Sequence, residues 1–380
     1  MKNILLRLFF LILFANCQNF ALAQDSSRIR ISLLTCSPGD ELYSLFGHSA
    51  LRVIDSNSVT DHVYNYGTFN FDDPNFYIKF TRGQLMYFMS VEYFEDFKNL
   101  YQYTGREMTE QVLNLSANEK IELKQFLINN LKEENKYYQY DFFFDNCTTR
   151  LRDLIVKYKH PTPQLPAVMP TNMRFRQAIH QYLDKGNQQW SKLGIDILLG
   201  AKTDRVMTAD EQQFLPDNLM LAIDSNKNGP LAVSSKKLYT LDIAPSAKNI
   251  FTPFVVFSIL FLLFAILHFS KKFPLLLAGF DGLLFFSTGL LGCILIFMWV
   301  GTNHSMTKDN YNLLWAIPTH IIASFFIQSK KKFIKNYFRL TAIAGVLLLA
   351  AWYFLPQQLN IALLPLVLLL IFRSWVRSNN

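Results

Sequence analysis

The sequence predicts an α+β domain followed by an all-α domain of membrane-spanning helices. Within residues 29–66, short runs of alternating apolar and polar residues are typical of strands, and helical spacing begins near residue 116. After about residue 250 the chain is almost entirely apolar, in runs long enough to cross a bilayer. A chain of 380 residues is long enough for both parts.

The composition argues against nucleic acid as a partner. The chain is 51% hydrophobic and carries a formal net charge of +8. Its basic residues form no face interleaved with aromatic residues, which a nucleic-acid site would need. Part of the Lys and Arg excess lies in short loops between apolar runs, where it sets orientation in a membrane. We therefore expect a protein integral to a membrane.

The first 23 residues have the pattern of a secretory signal peptide. Lys2 and Arg7 supply a positive start, residues 8–14 form the apolar run, and residues 21–23 form a small-residue cleavage site. We expect cleavage after residue 23. The alternative is an uncleaved anchor, which would add one membrane span.

Three strands are predicted near the start of the exported part. Residues 29–35 alternate like a strand, a turn follows, and further strands cover residues 49–54 and 62–66. The second and third strands are expected to form a hairpin. His48 lies at the entrance to that hairpin.

A capping box predicts the first clear helix. Ser116 is an N-cap candidate, and Glu119 stands three residues later. Apolar residues then follow at helical spacing. Residues 137–144 read as an aromatic strand, residues 148–158 as a helix with one apolar face, and residues 175–184 as another helix.

Five apolar runs in the last third of the chain predict five membrane-spanning helices. A helix needs about 20 apolar residues to cross the hydrocarbon core. The predicted spans are approximately 251–269, 277–300, 311–328, 340–355 and 359–373.

The charges between these spans predict their orientation. Basic residues follow the first, third and fifth spans: Lys271, Lys272, Lys330, Lys331, Lys332, Lys335, Arg339, Arg373 and Arg377. The other two loops carry only Lys308. Positive loops stay in the cytoplasm, so the C-terminus is expected there and the α+β domain outside. The expected segments are a signal peptide at 1–23, an exported domain at 24–249 and a membrane domain at 250–380.

Two of the four cysteines fall in the exported domain. Cys17 lies in the signal and Cys293 in an apolar run, which leaves Cys36 and Cys147. Exported domains meet an oxidising compartment, so one reading of Cys147 is half of a disulfide. Cys36 has three readings: a second thiol at the site, a disulfide partner, or a small buried residue.

Cys147 also has the setting of a nucleophile. It stands where a helix begins, and the helix dipole there lowers a thiol pKa. His48 is the expected base, although a lone histidine is more often a hydrogen-bonded turn residue. A third polar group usually orients the imidazole, and the next strand offers His62 and Asn65. We prefer Asn65 because it lies nearer the end of the strand.

Other polar residues are candidates for substrate contacts. We expect Cys36 and Asn146 to line the site beside the thiol. The loop 302–310 lies on the same side as the exported domain, and it either binds a lipid head group or caps two helices. His304, Asn310 and Trp315 are the residues of this region that we expect to contact substrate.

Asp281 is the one acidic residue predicted inside a membrane span. Acids within a membrane are costly and often functional. The alternative is a hydrogen bond to His268 from the preceding span. The histidines show no spacing typical of a metal site, and no phosphate-binding glycine loop is present, so no metal or cofactor is expected.

The order of these residues resembles a known enzyme class. A histidine on an early strand, a polar residue on the next strand and an Asn-Cys pair at a helix start are similar to permuted papain-like, or NlpC/P60-like, thiol enzymes. Among them are the lecithin:retinol acyltransferase-like phospholipase/acyltransferases, which take an acyl chain from a phospholipid as a thioester. The resemblance implies a permuted papain-like fold for the exported domain.

A closer resemblance covers nearly the whole chain. Residues 33–53, 64–69 and 145–148, with the layout of an exported domain before five spans, are similar to Bacteroides-type lipoprotein N-acyltransferases. That family acylates the amino group of the lipid-modified N-terminal cysteine of lipoproteins. The resemblance implies Cys147 as nucleophile and His48 as base, with the catalytic domain in the periplasm and the helices in the inner membrane.

The expected function is therefore acyl transfer between two membrane substrates. An acyl chain would pass from a membrane phospholipid to Cys147 and then to a diacylated lipoprotein. Oxyanion donors are expected from the backbone N–H of the cysteine and of a neighbour at the helix start. Two alternatives are a membrane-anchored cysteine hydrolase acting on cell-wall peptides and a non-enzymatic scaffold for envelope assembly.

Overall fold

The computed structural model describes residues 27–226, 229–241 and 249–379. The predicted signal peptide lies outside these residues. The described chain forms a mixed α/β part, up to residue 241, and a helical part from residue 249.

A seven-stranded antiparallel sheet forms the centre of the first part. The strand order is β6-β4-β3-β2-β1-β5-β7, and every neighbouring pair is antiparallel. The strands are β1 (Ile29–Cys36), β2 (His48–Asp55), β3 (Thr60–Thr68), β4 (Met86–Tyr93), β5 (Met108–Leu113), β6 (Tyr137–Gln139) and β7 (Ala232–Tyr239).

Helices cover both faces of this sheet. Within the described residues, the helices of this part are α1 (Phe76–Thr81), α2 (Phe94–Tyr103), α3 (Ala117–Asn130), α4 (Cys147–Tyr158), α5 (Phe175–Lys185), α6 (Gln189–Leu198), α7 (Ala209–Gln212) and α8 (Pro216–Asp224). Because side chains alternate along a strand, Leu33 and Leu51 pack against α3 and α4 on one face. Leu34, Ala50 and Val63 pack against α2 on the other.

Most predicted elements of this part are present with shifts of one or two residues. The capping box at Ser116 and Glu119 is confirmed, because each side chain bonds the backbone of the other residue. The aromatic strand predicted over 137–144 is shorter, ending at Gln139. It ends early because Asp141 accepts hydrogen bonds from the N–H groups of Phe143 and Phe144 and turns the chain.

Three helices of the second part are long and apolar enough to cross a membrane, among the residues that the structure describes. They are α9 (Pro253–Ser270), α10 (Pro274–Val300) and α12 (Lys332–Ala351). Two shorter helices are α11 (His320–Ser324) and α13 (Leu363–Asn379). The prediction of five spanning helices is therefore supported only as a helical membrane region with three such helices.

The predicted span at 311–328 is wrong as a continuous helix. The chain there forms a 3-10 helix at Tyr311–Leu314 and then α11, with Pro318 between them. Two glycines of α10 allow this irregular backbone to pack directly against the helix. A Cβ at Gly292 would lie 2.0 Å from the carbonyl oxygen of Ala316, and one at Gly289 would lie 2.3 Å from the nitrogen of Ile321.

Asp281 forms an ion pair rather than a hydrogen bond to His268. Its carboxylate accepts from Arg373 Nε at 2.6 Å and Nη2 at 2.9 Å, and from Arg377. Asp281 is 0% exposed and Arg373 is 1% exposed. Arg373 and Arg377, which the sequence predicts to be loop charges, are thus partners of a buried acid. Their ion pair with Asp281 joins α13 to the first half of α10.

The loop 301–310 attaches the membrane part to the sheet domain. Gly200 donates to the carbonyl of Met306 at 2.8 Å, and Ala201 donates to that of Asp309 at 3.0 Å. A side chain at Gly200 would collide with the carbonyl oxygen of Lys308, 1.8 Å from its Cβ position. This loop is therefore closely packed against the sheet domain.

Candidate active site

The site lies where β1 ends and β2 begins. Cys36 and His48 are opposite each other in the β1–β2 register, so their backbones are adjacent. Gly47 makes this turn possible, because its φ is +81° and a Cβ there would lie 2.7 Å from the carbonyl oxygen of Cys36. The first residue of α4, Cys147, packs beside the same sheet end.

Asn146 fixes the start of α4. Its Oδ1 accepts from the N–H groups of Thr148 and Thr149, both at 2.8 Å, and its Nδ2 donates to the carbonyls of Phe142 and Phe214 at 2.7 and 2.8 Å. These four bonds use the hydrogen-bonding capacity of the amide. The side chain predicted to contact substrate therefore serves as the helix cap. The sequence predicts an oxyanion donor from a neighbour of the cysteine at the helix start, and the N–H of one such neighbour, Thr148, is already bound by this cap.

The thiol of Cys147 and the imidazole of His48 hydrogen-bond each other. Burial alone would raise the thiol pKa, but the positive imidazole and its hydrogen bond outweigh it. The backbone N–H of Ser49 and the hydroxyl of Thr148 add to this effect, and the pKa of Cys147 falls from 9.0 to about 7. A large fraction of the thiol is thus ionised near neutral pH.

The pKa of His48 is raised by its partners. Burial lowers it, but the thiolate of Cys147 and hydrogen bonds to that sulfur and to Asn65 raise it above the ordinary 6.5. The imidazole also packs beside two rings of α2, Phe97 and Tyr101, each with its centroid 6.4 Å away. These partners therefore favour the charged form of the imidazole, which lies in an aromatic setting.

A chain of hydrogen bonds determines which ring nitrogen of His48 carries a proton. Its Nε2 lies 3.1 Å from Asn65 Oδ1, and Asn65 Nδ2 donates to Glu92 Oε1 at 2.8 Å. The ionised carboxylate of Glu92 only accepts, so it requires the amide NH₂ and turns the amide oxygen toward the imidazole. Nε2 must then carry a proton, and Nδ1 is left to face the sulfur. His62, the other candidate, stacks on Tyr93 instead, at 5.1 Å.

Cys36 is a different kind of thiol. It is free, as is Cys147, so these two cysteines form no disulfide. Burial raises its pKa to about 12, although the charge of Arg106 and a hydrogen bond with Tyr101 act in the opposite direction. A neutral thiol at 0% exposure fits the reading of a small buried residue next to His48.

The three candidates from the membrane part lie at the junction between domains. Asn310 donates to the carbonyls of Ile197 and Leu198 at 2.8 and 3.1 Å, and the buried Trp315 donates to Asn312 at 2.9 Å. His304 lies 3.2 Å from the carbonyl oxygen of Phe80. The polar groups of Asn310 and Trp315 are thus engaged in holding the junction.

Sequence reasoning missed Glu92, Tyr101 and Arg106. Glu92 is the second-last residue of β4. The alternation of apolar and polar residues along this strand does not reveal which residue of the neighbouring strand its carboxylate approaches. Tyr101 and Arg106 flank the end of α2, and the Arg106 guanidinium lies 4.4 Å from the Tyr101 ring centre. No group of three or more His, Cys, Asp or Glu side chains that could hold a metal occurs within 27–226, 229–241 and 249–379.

Comparison with known families gives the context of this geometry. Residues 17–179 match a family model described as the Lnb N-terminal periplasmic domain, and residues 245–379 match one described as the Lnb transmembrane domain. The chain belongs to the Lnb family. This is the Bacteroides-type lipoprotein N-acyltransferase architecture that the sequence resembles, with a periplasmic domain joined to a transmembrane domain. No curated protein and no solved structure matches the chain.

The Lnb matches include the site described above. His48, Asn65, Glu92 and Cys147 all lie within the range matched by the Lnb periplasmic domain. The loop 301–310 and α13 lie within the range matched by the Lnb transmembrane domain. The site and the membrane helices are thus parts of one Lnb-family chain.

Proposed function

We propose that this Lnb-family chain transfers an acyl chain from a membrane phospholipid to the N-terminal amine of diacylglyceryl-cysteine lipoproteins. The observation that carries the proposal is the hydrogen-bonded pair of Cys147 and His48 at the start of α4. A thiolate at neutral pH is the nucleophile that acyl transfer needs, and the adjacent imidazole is its proton acceptor. The order of His48, Asn65 and Cys147 along the chain supports a permuted papain-like fold.

The first half-reaction loads the enzyme. Nδ1 of His48 takes the thiol proton, and the sulfur of Cys147 attacks the ester carbonyl of the phospholipid. The ester C–O bond breaks, and the imidazolium returns the proton to the departing lysophospholipid oxygen. The acyl chain is now a thioester. The backbone N–H of Ser49 lies against the sulfur and is a candidate donor to the developing oxyanion, since Thr148 N–H is engaged.

The second half-reaction regenerates the thiol. The neutral amine of the lipoprotein cysteine attacks the thioester, an amide bond forms and the C–S bond breaks. The imidazole accepts the proton from the amine and passes it to the sulfur. Asn65 keeps Nδ1 directed at the sulfur in both halves, because it holds Nε2. Both substrates are lipids of the same membrane, which fits a catalytic domain packed onto membrane helices.

The inner membrane and a cytoplasmic C-terminus form part of the proposal. Asp281 binds α13 near its C-terminus, whereas the loop that follows α10 contacts the catalytic domain. Those two points are roughly 30 Å apart along α10 at 1.5 Å per residue. This separation supports a C-terminus on the opposite side of the bilayer from the catalytic domain, as the basic loops predict.

Mass spectrometry of lipoprotein N-termini tests the function. In a strain lacking this chain, we expect diacylated lipoproteins with a free amine, and restoration of the third acyl chain by the wild type only. Cys147→Ala should fail to restore it, whereas Cys36→Ala should restore it. Unchanged N-acylation in the deletion strain, with no second enzyme present, would contradict acyl transfer. Full restoration by Cys147→Ala would favour the scaffold alternative.

A further inference from the structure

An exposed aromatic surface lies next to the loop 301–310, here called the junction loop, and has no role in the mechanism above. It belongs to residues 69–82, between β3 and β4. Phe71, Tyr77, Ile78 and Phe80 are 65%, 79%, 60% and 51% exposed. Four large apolar side chains so close in sequence are unusual at a water-facing surface, and such patches mark contact sites.

The junction loop fixes this surface at the end of a membrane helix. His304 Nε2 lies 3.2 Å from the carbonyl oxygen of Phe80 and 3.1 Å from that of Thr81, and Asn303 donates to the carbonyl of Arg82 at 2.9 Å. Only a few residues earlier, α10 ends at Val300, which is 76% exposed. The exposed side chains therefore lie close to the end of an apolar helix that is long enough to cross a membrane.

Behind this surface, a continuous series of rings leads inward. The ring centroids of Phe80 and Phe76 are 6.1 Å apart, those of Phe76 and Phe69 are 5.9 Å apart, and those of Phe69 and Tyr87 are 5.3 Å apart. The next centroid, that of Tyr140, is 4.5 Å from Tyr87. Every step is within ordinary ring contact.

The series ends beside Cys147. Gly67 has a φ of +91°, and a Cβ at this position would lie 3.5 Å from Cε2 of Tyr140 and 3.7 Å from Cβ of Cys147. Both distances are ordinary van der Waals contacts, so position 67 lies between the Tyr140 ring and Cys147. Ser305 of the junction loop holds the neighbouring residue, donating to Asp141 at 2.6 Å. One loop thus fixes both ends of the aromatic series.

We propose that residues 69–82 form the lipid entrance of this protein. The exposed side chains Phe71, Tyr77, Ile78 and Phe80 enter the outer interfacial layer of the bilayer, and the inner rings hold the acyl chain of a glycerolipid between membrane and Cys147. This use of the inner rings rests on the proposed acyl transfer. Aromatic side chains favour the interfacial layer of a bilayer.

Nitroxide accessibility tests the membrane contact. The probe is placed at Tyr77→Cys or Ile78→Cys in full-length protein carrying Cys147→Ser and Cys293→Ser, reconstituted in phospholipid nanodiscs. The control is Tyr103→Cys at the end of α2, since Tyr103 is 91% exposed. We expect oxygen to relax the probes at 77 and 78 more than a water-soluble nickel chelate does, with the reverse at 103. Water-like accessibility at 77 and 78 would overturn the proposal.

Loading of the thiol tests the acyl path. With Cys147 intact, Phe71→Ser combined with Ile78→Ser should slow acyl loading from long-chain phospholipid vesicles about tenfold, since each loses apolar burial in the membrane. Iodoacetamide should alkylate Cys147 at the wild-type rate, and Val59→Ser, at a turn residue that is 90% exposed, should change neither rate. Wild-type loading by the double variant would contradict the path. A wild-type thiol that never loads would contradict acyl transfer, while the nitroxide result would still decide the membrane contact.

Discussion

At the residue scale, the site depends on a line of four side chains from Glu92 through Asn65 and His48 to Cys147. The sequence predicts the last three, because a helix start, a hairpin entrance and a strand end are local features. It does not predict Glu92, because pairing of β3 with β4 decides which face of the sheet the carboxylate shares with Asn65. The same limit applies to Cys36, whose neutral state depends on its complete burial in the fold.

The thiolate state of Cys147 predicts an unusual pH dependence of alkylation. In protein carrying Cys293→Ser, the rate with iodoacetamide should be half-maximal near pH 7, because the thiolate forms above the pKa of about 7. With His48→Ala the midpoint should rise above the ordinary 9.0, since burial remains and the positive partner is gone. A midpoint that does not move in the variant would contradict the pairing. Cys36 should react only at higher pH, because its pKa is about 12.

Glu92 is predicted to act through Asn65. Glu92→Gln permits the Asn65 amide to turn and removes a negative charge near the imidazolium, so the alkylation midpoint of Cys147 should rise. Acyl loading should fall on the order of tenfold, less than the roughly hundredfold loss expected on removing the base itself. Glu95→Gln is the matched control, because Glu95 is 68% exposed and pairs with Lys98. If the alkylation midpoint of Cys147 were unchanged in Glu92→Gln, Glu92 would have only a structural role.

At the element scale, hydropathy predicts the apolar runs but not how each run folds. The segment 311–328 has the composition of a span, yet Pro318 breaks it and α10 receives its irregular backbone at Gly289 and Gly292. Backbone at membrane depth can be irregular only where protein covers it. Two small residues in another helix supply that cover, so the sequence of the segment alone could not reveal it.

This packing predicts different effects for two glycines of the same helix. Gly292→Ala should destabilise the protein by about 2 kcal/mol, because its Cβ would lie 2.0 Å from the carbonyl oxygen of Ala316. Gly279→Ala should be neutral or slightly stabilising, since its Cβ meets no atom within 4 Å among the described residues. Thermal unfolding in one detergent compares them. Equal midpoints for the two variants would contradict the close contact between α10 and residues 316–321.

At the scale of the whole molecule, the junction connects the chemistry to the membrane. Arg176, which is 0% exposed, binds Asp196 at 2.8 Å and Asp204 at 3.0 Å. Asn360 of the membrane part donates to the same Asp196 at 2.8 Å. The sequence predicts two domains from composition alone. It cannot predict this contact, because the partners lie far apart in the chain and are joined only by the fold.

The direct test of the account is the mass of the protein after exposure to its proposed donor. Wild-type protein, mixed with a phospholipid of defined acyl chains and no lipoprotein, should gain the mass of one acyl group, and fragmentation should place that group on Cys147. Hydroxylamine at neutral pH should remove it, as expected for a thioester. Cys147→Ser provides the control without a thiol. An acyl group on another residue, or no gain in mass under conditions where lipoproteins are acylated, would contradict the thioester mechanism.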